Sequence, residues 1–217
     1  MSLIPRKLAI ITGSTRTPRI GPHVVNIIKT LLESSTLPNK PTLTVLDIAD
    51  FKLPVYDEIV IPANVPAKEQ FAFEHSKKWS AAVKPFDAYI LLSPEYNSGP
   101  PGGLKNAIDY LYHEWIGKPV LIITYGLFGG LNASESLKTI LTGMKLRVVP
   151  TRPALAFGGA DFPEILAEMG PAGKDGVVGE KSREKWSTGE VRESVLKGYG
   201  ELVELLEGSV VDGATVA

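Results

Sequence analysis

The chain contains no cysteine. That absence excludes a disulfide framework, thiolate catalysis and any metal site built on sulfur, and it is compatible with a reducing compartment. Long apolar runs are missing too: no window approaches the roughly 18 consecutive apolar residues of a membrane-spanning helix. No excess of one charge exists, because 23 Lys and Arg face 24 Asp and Glu. A net charge of −1, dispersed along the chain, leaves no electrostatic footprint for nucleic acid or an anionic membrane. The basic residues near the N-terminus run straight into a strand-like segment, so no secretory leader is expected and a cytoplasmic location is. The Asn132-Ala133-Ser134 sequon has no consequence without secretion. Absent as well are Gly-x-x-x-x-Gly-Lys-Ser/Thr, a Gly-x-Gly-x-x-Gly after the first strand, and Gly-x-Ser-x-Gly. Their absence disfavours a nucleoside triphosphate, the usual dinucleotide site and a hydrolase nucleophile. No spacing of His, Asp and Glu suggests a metal.

What is present is an apolar content of 44% in 217 residues, enough for one compact domain, expected over residues 1–208 with a disordered tail at 209–217. Near-continuous apolar segments, at Leu8 to Thr12, Leu43 to Ile48, Ala88 to Leu92, Val120 to Thr124 and Leu146 to Val149, read as strands covered on both faces. Helical patterns alternate with them. The first has Val24, Ile27, Ile28, Leu31 and Leu32 on one stripe, with Pro22 in its opening turn. Others are expected over about 67–83, from Leu104 to Trp115 and from Leu131 to Met144. A last helix follows a capping box at Ser187 and Glu190. Five β–α alternations make an α/β three-layer sandwich around a doubly wound parallel sheet. Residues 51–66 read as a long loop that can wall a pocket. Residues 157–188, rich in Gly and charge, read as an irregular, mobile excursion, a plain insertion in preference to a functional lid.

Three loops at the strands' carboxyl ends carry the chemistry. After the first strand comes Gly13-Ser14-Thr15-Arg16-Thr17-Pro18-Arg19-Ile20-Gly21. Hydroxyls and free N–H groups ahead of a helix form an anion site, and Arg16 and Arg19 add charge-assisted donors. One phosphate monoester suits this loop better than a pyrophosphate. After the third strand comes Pro94-Glu95-Tyr96-Asn97-Ser98-Gly99-Pro100-Pro101-Gly102-Gly103. An aromatic ring, an amide and an acid on a proline-stiffened backbone suit a flat, heteroatom-rich ring, and an isoalloxazine is one. After the fourth strand, Thr124-Tyr125-Gly126-Leu127-Phe128-Gly129-Gly130 lets backbone approach such a ring closely. In a sheet of order 2-1-3-4-5 these loops flank the topological switch point, where the flavodoxin-like fold holds FMN.

These residues resemble the NAD(P)H-dependent FMN reductase family, which includes flavin, quinone, azo-dye and chromate reductases. The resemblance rests on Gly13-Ser14-x-Arg16, on Pro94-Glu95-Tyr96-Asn97 with Pro101-Gly102-x-Leu104-Lys105-Asn106-Ala107-x-Asp109, and on Tyr125-Gly126-x-Phe128-Gly129-Gly130. It covers about residues 7–150. It implies a flavodoxin-like fold, tightly bound FMN, NADPH or NADH as reductant, two-electron reduction, and a dimer or tetramer with the site near the interface. It places the FMN phosphate on Ser14 and Arg16, supported by Thr17 and Arg19. The ring lies along Pro94, Glu95, Tyr96 and Asn97, with Thr124, Tyr125, Gly126, Gly129 and Gly130 near its pyrimidine end. Two departures stand out: Arg19 and Gly99 occupy positions where many members carry serine.

As the resemblance implies, the flavin carries the chemistry, so no side chain is assigned a catalytic role. His23, His75 and His113 read as surface or packing residues, and Glu95 as a structural hydrogen-bonding group. An exposed Arg19 is a candidate partner for a nicotinamide 2′-phosphate. Aromatic Tyr110, Tyr112 and Trp115 on one helix suggest a homodimer surface. The competing readings are a flavodoxin-type electron carrier, disfavoured by near-neutral charge, and a redox-sensing partner protein, to which only residues 157–188 lend support.

Overall fold

The computed structural model describes residues 6–65 and 70–208; the expected tail at 209–217 and the first residues of the expected 67–83 helix lie outside them. Alternating apolar segments become a parallel sheet. Its strands are β1 (Lys7–Thr12), β2 (Thr42–Asp47), β3 (Ala88–Pro94), β4 (Pro119–Gly126), β5 (Arg147–Val148) and β6 (Ala154–Ala156). The order is β2-β1-β3-β4-β5, with β6 also pairing to β4, and every pairing is parallel. The fifth position, expected as one strand, is thus shared by two short ones. Proline at 150 and again at 153 interrupts the ladder between them.

The period-two alternation of side chains divides β1, β3 and β4 between two cores. Leu8, Ile10, Ile90, Leu92, Leu121 and Ile123 face one side, which is covered by α1 (Gly21–Glu33), α6 (Glu180–Ser187) and α7 (Gly189–Gly208). Ile11, Tyr89, Leu91, Val120 and Ile122 face the other, covered by α2 (Glu74–Val83), α3 (Gly102–Asp109) and α4 (Leu131–Gly143). These strands are buried along nearly their whole length, as expected for a sheet covered on both faces. Strand β2 departs from that: it is an edge strand, and Thr42, Thr44 and Val45 are exposed.

Two expectations need correction. Residues 157–188 are not irregular, because they carry α5 (Phe162–Lys174) and α6. Asp161 caps α5 by accepting from the Glu164 backbone N–H, and the Trp186 indole is fully buried while donating to the Ala156 carbonyl. The expected capping box at Ser187 does not form. The Ser187 hydroxyl donates to the Arg183 carbonyl and so finishes α6, and α7 starts beyond it at Gly189.

Of the three rings expected at a subunit contact, Tyr112 is half-buried and the other two are not on the surface. Tyr110, Leu111 and Trp115 are almost fully buried within one chain. Trp115 packs edge-on against Tyr89, and the Tyr110 hydroxyl donates to Asp57. The helix carrying them ends at Asp109, so these rings leave the helical stripe and turn back into the core.

Candidate functional site

The first loop is built by close packing. The Gly13 N–H donates to the Leu92 carbonyl at 2.8 Å, and a Cβ at Gly13 would lie 2.7 Å from that oxygen. At Gly21 a Cβ would lie 2.2 Å from the Ser14 Oγ and 3.2 Å from the Tyr125 hydroxyl. Glycine there lets the serine fold under the head of α1. Ser14 is 1% exposed, and its Oγ lies beside the Tyr125 hydroxyl but, among the described residues, forms no hydrogen bond of good geometry. An unpaired buried hydroxyl costs free energy unless a ligand completes it. Arg16 and Thr17 are exposed, and the Thr17–Pro18 peptide is cis.

Arg19 behaves differently from the sequence expectation. Its side chain is 17% exposed and forks onto Asp47, with Nη1 2.9 Å from Oδ1 and Nη2 2.7 Å from Oδ2. Nη1 also donates to the Ser14 carbonyl. The guanidinium is therefore committed to the protein rather than exposed for a nicotinamide 2′-phosphate. Hydrogen bonding to Asp47 raises its pKa further above an already high value.

The second loop is a tight turn. Tyr96 and Gly99 exchange both backbone hydrogen bonds, at 2.9 and 3.1 Å, and Asn97 and Ser98 sit at φ 49° and 62°. Positive φ at both central positions is the geometry that asparagine tolerates best among residues with side chains. The turn leaves Tyr96 exposed at the mouth of the site. Glu95 accepts from the Ala133 N–H at the start of α4, which is the structural role expected of it. Downstream, Asn106 bonds the Tyr56 N–H and the Pro54 carbonyl, tying α3 to the loop after β2.

The third loop turns at Gly129 and Gly130, with φ 84° and 78°. A Cβ at Gly129 would meet Ala154 of β6 at 2.8 Å. The Thr124 hydroxyl donates to the Gly129 carbonyl and is wholly buried. Tyr125 is buried beside the first loop, and burial holds its hydroxyl well above the usual phenol range, so it is neutral at any physiological pH.

Between the loops lies a cavity of about 230 Å³. It brings together Arg16, Arg19, Pro94, Glu95, Tyr96, Asn97, Tyr125 and Gly126. Ser14 lies buried under its floor, against Gly21 and Tyr125. Thr17, Thr124, Gly129 and Gly130 do not line it: Thr17 points to solvent, and the other three shape the third loop from behind. None of the three histidines lines it either. Sequence reasoning missed a whole wall made of Phe157, Met169, Ala172 and Gly173. One signal for it was there: Asp161 and Glu164 have the spacing of a helix start, followed by Ile165, Met169 and Ala172 on one stripe.

Chemically, the floor offers an unpaired hydroxyl and an arginine with donors to spare under a helix N-terminus, which is a site for an anion. The walls offer aromatic and backbone surface for a flat ring. Among the described residues no cluster of His, Asp and Glu that could hold a metal ion occurs, and no helix is long and apolar enough to cross a membrane.

Comparison with known proteins agrees with this division. The profile of a family described as NADPH-dependent FMN reductase matches residues 6–160. An NAD(P)H-dependent FMN reductase of Nectria sp is 46% identical over 205 residues, covering 93% of this chain and 97% of that protein. A quinone reductase of Pseudomonas putida is 30% identical over 169 residues, covering 75% and 83%. The structure of the NAD(P)H:(acceptor) oxidoreductase FerB from Paracoccus denitrificans superposes with a TM-score of 0.60 at 21% identity, covering 94% of this chain and 98% of that one. That last likeness bears on the fold.

Proposed function

The chain belongs to the NADPH-dependent FMN reductase family, and on that footing we propose that the cavity holds FMN with its phosphate at Ser14 and Arg16. The protein is an oxidoreductase of flavodoxin-like α/β fold that works with FMN and NAD(P)H. The observation that carries the placement is the Ser14 hydroxyl, buried without a well-formed hydrogen bond next to Tyr125, which lines the same cavity as Arg16. Bound there, FMN would take a hydride from the nicotinamide and pass two electrons to an acceptor.

The residues have distinct tasks. Ser14 and Arg16 bind the phosphate, and Arg19, which also lines the cavity, shapes the loop through the Ser14 carbonyl. Pro94 to Asn97 and Tyr125 to Gly126 form the ring's bed, with Tyr96 presented from its turn. Glu95 holds the third loop's helix in place through Ala133. No side chain is needed as a proton donor or base. Quinones and free flavins are the acceptor class, since a flat aromatic acceptor can share the face the nicotinamide leaves. With Arg19 bound to Asp47, the residue expected to meet a nicotinamide 2′-phosphate is engaged within the protein.

A homodimer in the cytoplasm remains part of this reading, on a surface other than the one the sequence suggested. Val55, Ile59 and Ile61 expose large apolar side chains within one loop, which is the candidate contact surface. Light scattering that reports a 23.4 kDa particle at micromolar concentration would remove the dimer.

The cofactor assignment is tested by denaturing purified protein and chromatographing the flavin released. FMN is the expected species, because the loop serves one phosphate monoester. FAD as the dominant species would overturn the placement.

A further inference from the structure

The family match ends at residue 160, yet the cavity's outer wall comes from α5, which starts at Phe162. This helix is held lightly. Ala172 is the one residue of its 13 that is buried. Gly170, Pro171 and Gly173 lower its intrinsic helicity, because glycine adds backbone entropy and proline removes an N–H donor. Its attachments to α6 are polar: Glu164 to Lys181 at 2.8 Å, and Glu168 to the Ser182 N–H at 2.9 Å. Glycine stands at each end in a conformation with positive φ, Gly159 at 143° and Gly176 at 71°. Ile165 and Met169 are partly buried against the core beside Ala172, so opening α5 breaks these few apolar contacts and its polar anchors, a smaller cost than opening the sheet or α7.

The same helix grips the phosphate loop. The Arg16 Nη1 donates to the Gly173 carbonyl at 2.5 Å, where α5 ends. Gly176 follows, so close to the loop that a Cβ there would lie 3.1 Å from the Arg19 nitrogen and 3.2 Å from Pro18. Arginine has five donors, so the bond to Gly173 leaves Arg16 able to hold a phosphate at the same time. With α5 in place the cavity, about 230 Å³, falls below the roughly 300–1,000 Å³ of ordinary ligand sites. Met169, Ala172 and Gly173 of α5 form one wall of that cavity, so displacing α5 widens the route by which a flavin nucleotide enters or leaves.

We propose that α5 is a cover, latched by Arg16 to the phosphate loop, whose opening sets the rate at which FMN leaves the site. The proposal rests on the reading of the cavity as the FMN site. A phosphate on Arg16 orders the guanidinium that holds Gly173, so bound FMN steadies α5 and α5 delays its release. Such coupling is reciprocal.

Hydrogen exchange followed by mass spectrometry, on protein with and without FMN, tests it. Amides of residues 168–176 are expected to exchange about fivefold or more slowly with FMN bound, the low end of ordinary coupling strengths, while those of α7 keep their rate. A second measurement uses Glu168→Ala with Lys181→Ala, which frees α5 from α6 without altering the cavity lining. FMN captured by an excess of apoflavodoxin should leave this variant about fivefold faster or more. FMN-bound protein that exchanges residues 168–176 at the flavin-free rate overturns the cover and leaves the FMN site standing. So does wild-type release from a variant whose α5 exchanges faster. Protein that binds no FMN at all overturns both.

Discussion

Arg19 and Asp47 stand at the carboxyl ends of neighbouring strands and close a two-bond fork at 2.9 and 2.7 Å, with both side chains more than four-fifths buried. The fork brings the Arg19 guanidinium onto the Ser14 carbonyl, so edge strand β2 helps fix the shape of the phosphate loop. Asp47 also accepts from the Ala49 N–H, which holds its carboxylate in place.

Replacing Asp47 by Asn should therefore loosen the loop without removing any group that touches the ligand. Hydrogen bonds to charged partners contribute about 1.5–3 kcal/mol, so the urea midpoint should fall and FMN should bind several-fold more weakly. Fluorescence titration of the flavin-free protein measures the second effect. A variant with unchanged FMN affinity would show that the fork is only a stabilising contact.

On the proposed placement of FMN, Arg16→Ala removes a charge-assisted bond to the phosphate. The expected loss is about 1.5–3 kcal/mol, or roughly 10- to 150-fold in FMN affinity. Its thermal stability without flavin should stay near that of the parent, since Arg16 is exposed and bonds only the Gly173 carbonyl. Equal affinity in the two proteins would place the phosphate elsewhere.

Lys118 gives a pH prediction remote from the cavity. Burial pushes its ammonium down to about 8, against the opposing pull of Asp87 and Glu114. A lysine whose pKa is lowered on folding binds fewer protons in the native state than in the unfolded one, so stability rises with pH through that interval. The rise should appear from about pH 8 toward 10. Above that, stability should fall, because burial raises the Tyr89, Tyr110 and Tyr125 hydroxyls in the folded state alone. Urea unfolding across the series should show the first slope in the parent and lose it in Lys118→Met. A slope that persists in the variant would assign it to another group.

Turnover should be ping-pong. Tyr96 is exposed and lines the cavity, and a nicotinamide and an acceptor that use the same open face of the ring must take turns. Double-reciprocal plots against NADPH at several quinone concentrations should be parallel. Intersecting lines would require both substrates to bind at once.

Much of this was legible in short stretches. Leu8 to Ile11 and Ala88 to Leu92 are apolar enough to be strands in any globular context, and they occupy the sheet's centre. The Tyr96–Gly99 turn follows from residues that tolerate positive φ, and Gly129 and Gly130 mark the third loop for the same reason. What went unread depends on partners far away in sequence. Tyr110 and Trp115 looked like surface because their neighbours, Asp57 and Tyr89, come from other elements. Helix α5 looked irregular because Gly170, Pro171 and Gly173 weaken its local preference, and its packing over the phosphate loop supplies the rest.

The sequence by itself determined the strand–helix alternation, the three ligand-facing loops and the family, since these depend on local propensity and on side-chain chemistry within a few residues. The tertiary structure decided which of those side chains are available. Arg19, 28 residues from Asp47, is bound to it because β1 and β2 pair in a register that sets Thr12 beside Asp47. Arg16, 157 residues from Gly173, meets α5 only after the sheet has carried both to one edge. A charge does not show along the chain whether it will be spent on the protein or left for a ligand. That depends on which opposite groups folding brings within hydrogen-bonding distance.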